Sequence, residues 1–94
     1  MNAVFMSTKE GVKEQVVEKT IDNHTIVLYN DDVNTFDHVI KSLVDVCGHS
    51  IVQADQCAHI VHYKGKCKVA AGSMEELVPK CVALLDRQLS AEIK

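Results

Sequence analysis

Thr25-Ile26-Val27-Leu28-Tyr29-Asn30-Asp31-Asp32-Val33-Asn34-Thr35-Phe36 is the stretch that decides the fold. Its first five residues are β-branched, aliphatic or aromatic, and read as a strand. Asn30 to Asn34 is a cluster of turn residues that ends the strand. Beyond the turn the apolar period changes. Phe36, Val39, Ile40, Leu43, Val44 and Cys47 fall on one face of a helix. Asn34 is placed to cap that helix, with Asp37 three residues on as a variant capping box. Gly48 stops it.

Working outward, Ser50 caps a second helix whose stripe is Ile51, Ala54, Ala58 and Val61, with Cys57 beside it. That helix runs to about residue 62 or 63, and Gly65 makes a turn. Lys66 to Ala71 alternates as a strand, and Gly72 breaks it. Ser73 with Glu76 forms a capping box for a third helix. Leu77, Cys81, Leu84 and Leu85, with Val78 at the margin, form its apolar face. Pro79 lies inside this pattern and predicts a kink or a late start. Leu89, Ala91 and Ile93 alternate with Ser90, Glu92 and Lys94, as an edge strand does. The order is strand, helix, helix, strand, helix, strand. An α+β fold, with a helical layer over a three-stranded sheet, buries these faces most simply. Residues 1–22 are polar and mixed in charge, and read as a flexible arm before a core at residues 23–94.

The chain has 94 residues, a net charge of −3, 47% hydrophobic and 24% charged residues. One modest core is all it can hold, since a chain this short buries only roughly 60–65% of its unfolded surface. The charge gives no basic footprint for nucleic acid, and four aromatic side chains give no base-stacking platform. No run approaches the ~18 apolar residues of a membrane span, and the charged N-terminal stretch does not read as a signal peptide. A cytoplasmic monomer is the expectation. Cys47, Cys57, Cys67 and Cys81 follow no disulfide or zinc spacing, and read as reduced core thiols.

Chemistry concentrates at two places. Asn30, Asp31 and Asp32 put an amide and two carboxylates at a strand end. Two readings stand: a solvated turn favouring the helix N-terminus, or an acceptor-rich corner for the three N–H donors of an ammonium group. His59 and His62 lie one helical turn apart, without the further ligands of a metal site. A single histidine near a helix end, offering one neutral nitrogen as acceptor, needs less special geometry. His24, His38 and His49 read as surface histidines. No nucleophile has a base beside it and no phosphate loop occurs. The chain reads as a non-enzyme without metal or cofactor.

Ile26 to Asp32, then Phe36, Val39 and Ile40, then Ala54, Val61-His62-Tyr63 and Gly65-Lys66 together resemble the ClpS family over residues 24–94. Those proteins are adaptors that deliver N-degron substrates to a Clp AAA+ unfoldase and its ClpP protease. The resemblance implies three helices against a three-stranded antiparallel sheet, as in the C-terminal domain of the ribosomal stalk protein. It implies that Asn30, Asp31 and His62 bind the substrate's α-amino group, and that Asp32 and Asn34 hold the first peptide units at the pocket edge. It implies a side-chain pocket walled by Leu28, Tyr29, Phe36, Val39, Ala58, Val61 and Leu89. Glu75 and Lys80 match positions facing the N-terminal domain of a ClpA- or ClpC-type unfoldase, which the arm engages during handover. The chain departs from the pattern in four places. Asn34-Thr35 replaces a threonine-proline pair, Phe36 and Ala58 stand where methionine is common, and Tyr29 stands for a smaller aliphatic residue.

Overall fold

The computed structural model describes residues 23–94. The expected arm at residues 1–22 lies outside them. Strand β1 is His24–Tyr29, followed by helices α1 (Phe36–Cys47) and α2 (Ile51–Lys64). Then come β2 (Lys66–Gly72), α3 (Met74–Asp86) and β3 (Ser90–Ile93). The sheet order is β2-β1-β3, with both neighbours antiparallel to β1. This is the expected α+β architecture, with β1 at the centre and β3 at an edge.

Period-two alternation sorts the sheet's residues. Ile26 and Leu28 point at the helices and are wholly buried, opposite Ile93 and Ala91 of β3. Helices α1, α2 and α3 contribute Leu43, then Ala54, Cys57 and Val61, then Leu77, Cys81 and Leu84 to the same cluster. Burying one Leu or Ile side chain is worth roughly 1.5–3 kcal/mol, so this cluster dominates stability.

Several local expectations are corrected. The first helix is capped by Thr35, whose hydroxyl accepts from the His38 amide at 3.1 Å, and not by Asn34. The turn at Asp31 engages the Asn34 amide first and so moves the cap one residue on. Ile51 is 71% exposed because it sits at the first turn of α2, beyond the reach of the sheet. Leu85 and Val78 are also exposed, and the buried line of α3 is the narrower one through Leu77, Cys81 and Leu84. Helix α3 starts directly after Ser73, with its capping box formed, and Pro79 lies within it. The predicted late start is therefore absent.

Two histidines read as surface residues are structural. His49 is 7% exposed and lies at 2.7 Å from the Val69 carbonyl through Nε2. A carbonyl only accepts, so that nitrogen donates. The register of β1 against β2 slips between Ile26 and Val27, which pair with Ala70 and Lys68, leaving Val69 as the extra residue of a bulge. The histidine thus bonds a carbonyl at the bulge. His38 Nε2 lies 2.8 Å from the Arg87 carbonyl, one of the terminal carbonyls of α3.

Candidate functional site

The turn after β1 is built on Asp31. Its Oδ1 accepts from the amides of Val33 and Asn34, both at 3.0 Å. The Asn34 side-chain nitrogen reaches Oδ1 at 3.1 Å and Oδ2 at 2.9 Å. Partial burial pushes the Asp31 carboxyl up, but the bonds from Asn34 and Val33, helped by His38, outweigh it and hold it below the usual value. Asp31 is therefore a fixed carboxylate, and Oδ2 keeps lone pairs to offer. The Asn30 amide donates to the Gly65 carbonyl at 2.9 Å, which joins this corner to the end of α2, where His62 stands.

His62 is set in position by its neighbours. Its ring meets Phe36 edge-on at 5.3 Å between centroids and Tyr63 at 4.9 Å. Phe36 also meets His59, at 4.8 Å. Edge-to-face pairs of this kind contribute about 0.5–1.5 kcal/mol beyond area burial.

Behind this polar rim opens a cavity of about 260 Å³. It is lined by Leu28, Tyr29, Asn30, Asp31, Asp32, Asn34, Thr35, Phe36, Val39, Ala58, Val61, His62 and Leu89. Every residue expected at the amine corner, the pocket edge or the apolar wall borders this one space. Three elements and two loops bring them there. Leu28 comes from the central strand, Phe36 and Val39 from the first turns of α1, and Ala58, Val61 and His62 from one face of α2. Leu89 follows α3, where the amides of Gln88 and Leu89 bond back to Leu85 and Leu84. Gln88 adopts the left-handed conformation that this closure needs, with φ of 70°.

Tyr29 fits the expected wall only in part. Its hydroxyl donates to Glu92 Oε1 at 2.8 Å, and Glu92 pairs with Val27. Tyr29 therefore turns its phenol to the outer sheet face, opposite Leu28. It borders the pocket beside the amine corner without giving it an aromatic wall.

Thr35 and Gln88 are parts of the site's frame that sequence reasoning missed, and His59, singled out there only as a neighbour of His62, packs against Phe36. Thr35 lines the cavity. The Gln88 carbonyl accepts from the Asn34 side chain at 2.9 Å. No glycine or asparagine marks the left-handed turn at Gln88, so its sequence carries no signal for it. Glu75 and Lys80 lie on α3, away from the cavity, with Glu75 exposed and Lys80 half-buried. Met74, Val78, Val82 and Leu85 are exposed on the same helix. Among the described residues no cluster of three or more His, Cys, Asp or Glu could hold a metal ion, and no helix is long and apolar enough to cross a membrane.

The fold and the site define a small α+β domain with one acceptor-rimmed apolar pocket. Comparison with known proteins gives that class its family. The family model described as "ATP-dependent Clp protease adaptor protein ClpS" matches residues 19–92, and the chain belongs to the ClpS family. A ClpS adapter protein from Nostoc sp. is 39% identical over 62 residues, which is 65% of this chain and 64% of that protein. One from Thermosynechococcus vestitus is 32% identical over 65 residues, 68% of this chain and 69% of that protein. The matches thus span about two thirds of the length of these relatives. The solved structure of Agrobacterium tumefaciens ClpS2 bound to L-phenylalaninamide superposes with a TM-score of 0.71 at 19% identity. It covers 78% of this chain and 95% of that one, and so shares the fold.

Proposed function

We propose that this chain is an adaptor that binds proteins bearing a bulky hydrophobic N-terminal residue and delivers them to a Clp AAA+ unfoldase for degradation. The observation that carries the reading is the shared cavity, in which a fixed carboxylate, an amide and an imidazole ring the mouth of an apolar pocket. The ligand named for the Agrobacterium protein, L-phenylalaninamide, is a free α-amine on a carbon bearing an apolar side chain. The two halves of this pocket are complementary to the two halves of such a ligand.

Asn30, Asp31 and His62 take the three N–H donors of the α-ammonium group. Asp32 and Asn34 hold the first peptide units. Leu28, Phe36, Val39, Ala58, Val61 and Leu89 surround the first side chain. Charge-assisted bonds contribute about 1.5–3 kcal/mol each. Burying a Leu or Phe side chain adds roughly 1.5–3 kcal/mol. Association costs at least about 4 kcal/mol in lost freedom. With three such bonds the sum reaches at most about 8 kcal/mol, which puts micromolar recognition at its favourable end. Neither half suffices alone, so the pocket reads charge and bulk together.

Glu75 and Lys80 on α3, with the apolar residues exposed beside them, face the N-terminal domain of a ClpA- or ClpC-type unfoldase. The protein acts as a cytoplasmic monomer, with residues 1–22 as the arm used in handover. The role is binding, not catalysis. Fluorescence anisotropy with short peptides, varying only the first residue and its acetylation, tests the reading. Leu, Phe, Tyr and Trp peptides bind if it holds, and acidic or acetylated ones do not.

A further inference from the structure

Asp55, His59 and Tyr63 are spaced four apart on α2, and so form one row along its exposed side. His59 is held from both ends of that row. Its Nε2 lies 3.5 Å from Asp55 Oδ1, one turn back. Its ring stacks with that of Tyr63, one turn on, at 6.3 Å between centroids and 8° between planes. The same ring meets Phe36 of α1 edge-to-face, at 4.8 Å and 78°. Phe36 lines the pocket and His59 does not. His59 thus touches the pocket wall without touching the cavity.

Phe36 is a wall residue that needs such support. It is half-buried and is the first residue of α1. A helical side chain leans back over the turn before it, and at the first position there is no such turn to lie on. The rings that meet Phe36 come instead from α2, where His59 and His62 stand three residues apart on one side of the helix. His62 belongs to the polar rim. His59 has no part in the rim and is itself clamped by Asp55 and Tyr63.

We propose that His59 is a positioning residue, which braces the Phe36 ring beside His62 and so fixes the pocket wall before a first side chain enters. The edge-to-face contact removes rotamer freedom from Phe36 in the free protein. Binding then does not have to order that ring, and ordering one such side chain at an interface is worth a factor of about two to ten in affinity. This gain in affinity rests on the peptide-binding reading, whereas the bracing of Phe36 does not.

The test has two arms, both on the whole chain. The first needs no peptide: nuclear Overhauser contacts between the Phe36 and His62 rings are compared in the wild type, His59→Ala and His59→Phe. They weaken in His59→Ala and return in His59→Phe, which keeps a ring at that position. Unchanged contacts in His59→Ala overturn the bracing. The second arm is anisotropy with a phenylalanine-initiated peptide. His59→Ala weakens it about two- to tenfold, His59→Phe restores it, and His59→Ala changes nothing further when placed on Phe36→Leu. Equal affinity of the wild type and His59→Ala, or the same loss on the Phe36→Leu background, overturns the route through Phe36. A wild type that binds no peptide overturns the binding reading and the gain in affinity with it, while the first arm still decides the bracing.

Discussion

The Asn34 side-chain nitrogen spans both oxygens of Asp31, at 3.1 and 2.9 Å, and the same nitrogen donates to the Gln88 carbonyl at 2.9 Å. One amide thus fixes the carboxylate at the pocket mouth and ties that corner to the turn that places Leu89. The polar rim and the apolar wall are joined through a single side chain.

Asn34→Ala removes this tie and leaves the Gln88 carbonyl and Asp31 with fewer partners. A net loss of about 1–3 kcal/mol in stability follows, since bonds to a charged acceptor are worth more than neutral ones. Urea denaturation reads it as a lower midpoint at unchanged slope. Peptide affinity falls as well, because Asp31 keeps its two backbone amide bonds but loses the side-chain bonds that span both of its oxygens. Wild-type stability and affinity together in this variant contradict the structural role.

The Asp31 carboxyl lies below its ordinary value of 3.8 in the folded chain. A depressed acid contributes stability that is fully present above its unfolded value and is lost as pH falls through the folded one. The wild type therefore loses stability relative to Asp31→Asn as pH drops below 3.8. Paired thermal melts from neutral to acid pH check this. A stability difference between the two proteins that stays constant down to the acid limit contradicts it.

At the alkaline end the Cys57 thiol is raised from 9.0 to about 12, and burial raises Cys47 and Cys81 too. A raised group contributes stability that is present below its unfolded value and is lost as pH rises through the folded one. Stability under reducing conditions is thus expected to fall between pH 9 and about 12, and Cys57→Ala to fall less steeply. Chemical denaturation across that range measures the slopes. Equal slopes remove Cys57 as a contributor.

Ala58 leaves room in the pocket wall that a longer side chain fills. Ala58→Met is expected to weaken peptides beginning with the β-branched Ile or Val by roughly tenfold, about 1.4 kcal/mol, while Leu and Phe change less. An anisotropy series over first residues decides it. Unchanged Ile and Val binding in the variant shows that Ala58 does not set this preference.

Much of this was legible in the sequence because it was local. Thr25 to Tyr29, the amphipathic face of α1 and the Ser73–Glu76 capping box each carry their own signal within a few residues. The site residues were legible only by family resemblance. Asn30 to Asp32 alone is equally a solvated turn, and its meaning depends on His62, which the Asn30–Gly65 backbone bond brings near from across the fold. What escaped depended on tertiary contact. His38 and His49 look like surface polar residues until the α3 terminus and the β2 bulge supply carbonyls for them. Asn34 looks like a helix cap until Asp31 and Gln88 claim its side chain. Tyr29 still borders the pocket, but strand alternation and Glu92 turn its phenol outward, which its sequence position alone does not signal.

The central claim is that the pocket requires a free α-amino group together with a bulky first side chain. The direct measurement is anisotropy of one leucine-initiated peptide, free and N-acetylated, against the wild type and against Asp31→Ala and His62→Ala. The free peptide is expected to bind in the micromolar range, with acetylation or either substitution weakening it by tenfold or more, as loss of about 1.4 kcal/mol or more at the amine corner requires. Equal binding of the free and acetylated peptides contradicts the account.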